Sequence, residues 1–343
     1  TPGLRNAKIT SPEPWVIQIE VPWTEYNNAL VRFGSRALVA PAEVYDQWGN
    51  MAQVDWRKAV GSGPFVLTNY VGELVQHDTS IHLWAPEAQT KWYLITSIDD
   101  HSRDLLYADL WERETSWAHI VAAKTLVTAF GCPLKYYVDN HSIFRFVEKR
   151  DTVWKKAHAK EEDAIIQWKE VLKDLNSEVV YALSPAAKGK VERPYRWIQD
   201  HLVRTCVREG IKNIEQAKEV LYWELSQYRF KRIHSTTQEI PNARFEKALQ
   251  EKRSLFRPFA LPKPYLTIDD IFCYRFKRTV DAYRKISFNS LSFSIHGVPI
   301  REETELRISF NLKTKMALIR FWYRGRLVGQ QEVKTEDLKA VRF

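Results

Sequence analysis

Three acidic side chains sit where a chain could do chemistry. Asp78 lies in the alternating stretch Leu74-Val75-Gln76-His77-Asp78, and Asp139 closes the apolar run Leu134 to Val138. Glu192 stands among Lys188, Lys190, Arg193 and Arg196 at the start of a helical pattern. Each has an ordinary explanation: an Asp at a strand end serves as a turn or cap residue, and a Glu in a first helical turn complements the dipole. Together, at a strand, a strand end and a helix start, they form a set of hard oxygen donors of the kind that Mg²⁺ or Mn²⁺ takes. The neighbouring cations would hold an anion beside the metal. A phosphodiester fits that description. Its centre is anionic and its leaving alkoxide poor, and two divalent ions about 4 Å apart answer both difficulties.

The elements that must position these groups are legible in the patterning. Glu73 to Trp84, Trp92 to Ile98 and Leu105 to Leu110 alternate as strands, with a tight turn at Asp100 to Arg103. Ser116 opens a helix that runs to Phe130 and stops at Gly131-Cys132-Pro133. The strand ending at Asp139 follows, then a polar and aromatic loop from His141 to Lys160, a helix from Glu161 to Leu175 and a strand from Val179 to Leu183. After a small basic turn, Val191, Tyr195, Ile198, Leu202 and Cys206 recur every three or four residues, the apolar stripe of a helix. Asp99, Asp100 and Asp109 are rival acids. The first two fall in a turn, where bonding to the backbone explains them, and all three are left out of the site.

Four motifs in order resemble the DDE transposase and retroviral-type integrase superfamily, and bacterial insertion-sequence transposases within it. They are Gln76-His77-Asp78, Ile98-Asp99-Asp100-His101-Ser102-Arg103, Tyr137-Val138-Asp139-Asn140 and Gly189-Lys190-Val191-Glu192-Arg193. The resemblance runs from about Gly72 to the C-terminus. It implies an α/β, ribonuclease H-like core at 72–210: a mixed five-stranded sheet with flanking helices. A helical extension follows at 211–256, then a linker at 257–267 and a small β-barrel-like, DNA-binding domain at 268–343. It also implies the roles. Asp78 would bridge two Mg²⁺ (or Mn²⁺) ions, Asp139 would bind one and Glu192 the other, while Lys188, Lys190, Arg193 and Arg196 hold phosphates. Water would cut at an element's end, and the freed 3′-hydroxyl would join target DNA. The partners implied are double-stranded DNA, both element ends and target, and further copies of the chain. The 52 residues between Asp139 and Glu192 exceed the shortest spacings of the superfamily, which the loop at His141 to Lys160 would absorb.

Residues 1–71 read differently. Val39-Ala40-Pro41-Ala42-Glu43-Val44-Tyr45, Asp55-Trp56-Arg57 and Gly61-Ser62-Gly63-Pro64-Phe65 resemble an internal segment of peptide-type solute-binding proteins of ABC transporters. The expectation is a chimera joined near Val71-Gly72, with no helix-turn-helix pair upstream of the core; the first residue, Thr1, is not expected to be a natural start. Charge divides at the same place. Residues 1–72 carry six Lys/Arg and six acids, and the remainder 45 Lys/Arg and 36 acids, so the whole net charge of +9 falls on the body. Cys132, Cys206 and Cys273 are few and scattered, as expected of a reduced bacterial cytosolic chain without structural zinc. No run of 18 uncharged apolar residues suggests a membrane span.

Period two returns after residue 268, with a hairpin expected about Asn289-Ser290. Arg278, Arg284, Lys285, Arg320, Arg324 and Arg326 are candidates to grip phosphate there. Three other readings compete with a transposase core: an inactive DNA-binding remnant, a peptide-binding transport component, and an RNA nuclease of similar fold.

Overall fold

The computed structural model describes residues 8–13, 16–20, 68, 70–138, 167–181 and 189–338; for 8–13, 16–20 and 189–194 the backbone alone is described. Asp139, Lys188, the loop at 141–160 and the transporter-like motifs lie outside the described residues. The chain divides into two units, Thr1–Asn69 and Tyr70–Phe343. In the first, β1 (Lys8–Glu13) and β2 (Val16–Glu20) form an antiparallel pair with Ile9 opposite Ile19.

In the second unit, β3 (Leu74–His82), β4 (Trp92–Asp99) and β5 (Leu105–Trp111) form an antiparallel meander. A helix α1 (Ser116–Phe130) crosses over to β6 (Lys135–Val138), which pairs parallel with β3. The helical residues 167–174 (α2) precede β7 (Glu178–Tyr181), parallel to β6. Strand order is β5-β4-β3-β6-β7. Three antiparallel strands followed by two parallel ones added on the β3 side make this the ribonuclease H-like sheet.

Helices cover both faces, which alternation along the strands makes possible. Ile95 and Tyr107 pack against Ala118 and Ala122 of α1. On the opposite face, Trp92, Leu94, Ile98 and Leu110 meet α3 (Gly189–Arg208) through Tyr195, Ile198, Leu202 and Cys206, the expected stripe. Burying each large member of that stripe contributes about 1.5–3 kcal/mol. Two more helices follow, α4 (Ile214–Phe230), capped by Asn213, and α5 (Pro241–Gln250), which opens on a proline whose missing N–H is not needed there.

The C-terminal strands correct one expectation. β8 (Tyr274–Thr279), β11 (Glu303–Asn311), β12 (Met316–Tyr323) and β13 (Arg326–Lys334) form an open four-stranded sheet in the order β13-β12-β11-β8. The hairpin β9 (Lys285–Phe288) and β10 (Leu291–Ser294) pairs separately, so no barrel closes among the described residues. Asn289 and Ser290 both have positive φ, 47° and 66°, as a two-residue hairpin turn matching the strand twist requires.

The stretch after α5 is strapped to the core. Arg257 and Cys132 exchange backbone bonds of 2.9 and 2.8 Å, and Val71 does the same with Arg253 and Leu255. The strap passes so near Gly72 and Gly131 that a Cβ at either would stand 2.6 Å from Phe256 or Arg257. Farther on, Arg275, Arg307 and Arg320 lie directly opposite one another across β8, β11 and β12. Like charges in that relation repel, and here they are compensated. Arg275 donates to Asp174 (2.8 Å), Arg307 to the Tyr265 hydroxyl (2.7 Å) and Arg320 to buried Asp270 (2.9 Å). Gln167 of α2 bonds both the N–H and the carbonyl of Arg275. Arg320 is therefore a structural cation and leaves the set of six phosphate candidates.

Candidate active site

Asp78 is half-buried on β3, directly opposite Thr96 of β4. Opposed residues of an antiparallel pair share a face. The face is fixed by Thr96, whose Oγ1 donates to the Tyr195 hydroxyl of α3 at 2.7 Å. Four residues along β3, His82 meets Gln199 of α3 at 3.1 Å. The Asp78 face of β3 is thus the face that α3 covers. Glu192 is the fourth residue of α3, three before Tyr195, or about 4.5 Å along the axis. β6 lies beside β3 with Gln76 opposite Tyr137, and Asp139 is the next residue after its last, Val138. The described backbone therefore brings the α3 start to the sheet face of Asp78. Among the described residues no cluster of three His, Cys, Asp or Glu side chains could hold a metal. Two of the three expected ligands lie beyond that description, Asp139 altogether and Glu192 in its side chain.

The cations divide likewise. Lys188 lies outside the described residues, and Lys190 and Arg193 are placed by backbone only. Arg196 is exposed on α3, with no carboxylate partner among the described residues.

The rival acids are occupied. Asp99 is fully buried and accepts from the N–H groups of Gly72 and Ser102 and from the Ser102 hydroxyl, at 2.7–2.8 Å. Burial still outweighs those bonds and pushes its carboxyl up to about 6. Asp100 holds Gln76 and Arg103. Asp109 takes the Tyr222 hydroxyl at 3.1 Å. Asp104 receives a two-pronged Arg229, both bonds 2.8 Å. The turn between β4 and β5 is clamped by α4 and α5: the Tyr228 hydroxyl reaches the Arg103 carbonyl at 3.4 Å, and Arg244 the His101 carbonyl at 3.0 Å.

Sequence reasoning missed the Thr96–Tyr195 and His82–Gln199 pairs. The period-two spacing of Asp78, Ser80 and His82 was the available signal for one face, but nothing in it named the covering helix. It also missed what lies behind Asp78. His77 points to the other face and is buried, its ring nitrogens 2.9 Å from Ser97 Oγ and 2.8 Å from His119 Nδ1. Burial, with the nearby His119, pushes its imidazole well below the usual range.

No family model matches the chain. Among curated proteins it is similar to "Putative transposase y4bF" of Sinorhizobium fredii, 31% identical over 217 residues, covering 63% of this chain and 42% of that protein. Over that stretch the chain is similar to a transposase. A second transposase relative, that for insertion sequence IS1202 of Streptococcus pneumoniae, is 29% identical over 152 residues, or 44% of this chain and 31% of that protein. The chain thus spans less than half the length of either. Among solved structures it is similar to the HTLV-2 integrase catalytic core domain in complex with magnesium (15% identity, TM-score 0.38, 51% of this chain and 97% of that one). A simian T-cell lymphotropic virus intasome with a PP2A regulatory subunit gives 16% identity and a TM-score of 0.41, covering 79% of each chain. Strand order and direction, rather than these loose superpositions, mark the core as ribonuclease H-like.

Proposed function

We propose that the chain is the catalytic part of a DNA transposase, cutting and joining strands by metal-dependent phosphoryl transfer. The observation that carries this reading is the shared sheet face of Asp78 and the start of α3, tied by the Thr96–Tyr195 bond. The donor set suits divalent cations: three carboxylates, hard and anionic, at a strand, after a neighbouring parallel strand and in a first helical turn. Asp78, Asp139 and Glu192 would hold two Mg²⁺ or Mn²⁺ ions, which supply Lewis acidity at the attacking and leaving oxygens. Lys188, Lys190, Arg193 and Arg196 would hold the flanking phosphates and orient the scissile bond. Tyr195 fixes α3, and with it the cationic row, against the sheet. The reaction is two in-line displacements at phosphorus. Water displaces the 3′-oxygen at an element's end, and that hydroxyl then displaces a 3′-oxygen in target DNA.

Double-stranded DNA is the substrate in this reading, and two ends must be held together, so the working form is a multimer of this chain. Exposed Arg278, Arg284, Lys285, Arg324 and Arg326 at the C-terminal sheet add phosphate contacts. No described helix is long and apolar enough to cross a membrane, and we place the protein in the bacterial cytosol. Residues 1–71 we read as a transporter-gene fragment joined near Val71, which inverted repeats flanking the frame within a split transporter gene would support.

A strand-transfer assay with pre-cut ends tests the activity. Joining that requires Mg²⁺ or Mn²⁺ and is abolished in Glu192→Gln supports it. DNA binding without joining identifies an inactive remnant instead.

A further inference from the structure

The parallel ladder between β3 and β6 stops at Gln76 opposite Tyr137, two residues short of Asp78. Backbone bonds therefore do not fix the distance between Asp78 and the end of β6. His77 is the first β3 residue beyond the ladder, and its side chain bears on every element behind the site. Its ring stacks on Trp168 of α2 (centroids 5.4 Å apart, planes 15°). It stands edge-on to Tyr136 of β6 at 6.2 Å. Its nitrogens reach Ser97 of β4 at 2.9 Å and His119 of α1 at 2.8 Å. His119 Nε2 in turn lies 3.3 Å from Glu114 ahead of α1. His77, His119 and Trp168 are almost wholly buried, as is Tyr136, three residues before Asp139. A contact between two ring nitrogens needs one to donate and the other to accept, so the rings are held in a directed arrangement rather than a greasy one.

We infer that His77 is a positioning residue: with His119, Trp168 and Tyr136 it sets the separation of Asp78 from the end of β6, and so the affinity of the carboxylate site for divalent metal. This rests on the metal site proposed above. Deleting a group that orients ligands from behind typically weakens metal binding about 10–100-fold. His77 acts through the backbone rather than by a bond to a ligand, so the low end applies.

The test is Mn²⁺ titration of the full chain, followed by electron paramagnetic resonance, with thermal unfolding recorded separately without metal. His77→Phe keeps the stack on Trp168 and removes both polar contacts. His77→Asn keeps a hydrogen-bonding group toward Ser97. The expected result is about ten-fold weaker Mn²⁺ binding in folded His77→Phe, with His77→Asn between it and the wild type. Unchanged Mn²⁺ affinity in both folded variants overturns the positioning role and leaves the metal site standing. A wild-type chain that binds no Mn²⁺ overturns both. If His77→Phe does not fold, His119→Gln and Trp168→Phe are judged by the same criterion.

Discussion

The Tyr195–Thr96 bond offers a direct test of how α3 is held to the catalytic sheet. Thr96 is 2% exposed, and its hydroxyl donates to Tyr195 at 2.7 Å. In Tyr195→Phe the ring stays in its cluster while the acceptor disappears, leaving a buried hydroxyl unmatched. That loss costs about 1–3 kcal/mol, against about 1 kcal/mol for the net worth of a typical hydrogen bond. Thr96→Val removes the donor at nearly constant volume, so Tyr195→Phe should cost much less in a Thr96→Val background. The double-mutant cycle should then show a coupling of about 1 kcal/mol or more. For domains of 150–250 residues each kcal/mol moves the melting temperature by about 2–4 °C, within reach of calorimetry and urea titration. Because the bond lies three residues from Glu192, strand joining should fall more in Tyr195→Phe than its stability loss alone explains. Additive single mutants, or a Tyr195→Phe chain with wild-type stability and joining, would refute the claim that this contact seats the helix.

Arg229→Met should destabilise the Tyr70–Phe343 unit by about 3 kcal/mol, because it strands the buried Asp104 charge; urea unfolding reads this, and Asp104→Asn in the same chain should restore part of it. Gly131→Ala should lose stability by calorimetry, since φ is +99° and the new Cβ would stand 2.6 Å from the Arg257 carbonyl. Asp270 gives a pH signature. Burial pushes its carboxyl up, but Arg320 and the N–H groups of Thr267 and Leu266 outweigh burial and hold it below the usual range. A depressed folded value contributes stability that is complete above the unfolded value, about pH 4, and is lost as pH falls below it. Arg320→Met removes the chief partner, so its deficit in urea midpoint should hold from pH 7 down to about pH 4 and shrink as the pH falls further.

Local patterning carried the core well because both of its periods are strong. The three-and-four spacing of Ile198, Leu202 and Cys206 could bury only one way, and alternation about Thr96 and Asp78 admitted one face. The C-terminal region was harder. Strand alternation after residue 268 was visible, but closure into a barrel depends on edges meeting across distant sequence, and no local signal reports that. Arg320 looked like a surface cation because its partner, Asp270, lies fifty residues away in a turn. The proline-rich stretch at 257–267 read as a linker from composition, whereas its first residue, Arg257, bonds the core backbone, a contact set by the close approach that Gly131 allows. The candidate ligands were nameable because acid type and placement survive in sequence. What holds them, through His77, Tyr195 and Thr96, belongs to packing between elements and leaves no motif.

The row of three arginines across β8, β11 and β12 has a bearing on how this polypeptide could be made or taken apart. Its counter-charges come from both sides of the proline-rich stretch at 257–267, Asp174 before it and Asp270 after it. Trp117 likewise rests on Phe310, at 4.9 Å between ring centroids. A gene cut at the prolines would yield one fragment with Trp117 bared and another in which Arg275 has lost Asp174. Neither should be soluble alone, and co-expression of the two halves should recover both. Recombination that swaps the last seventy-odd residues between relatives would have to carry α2 along with them.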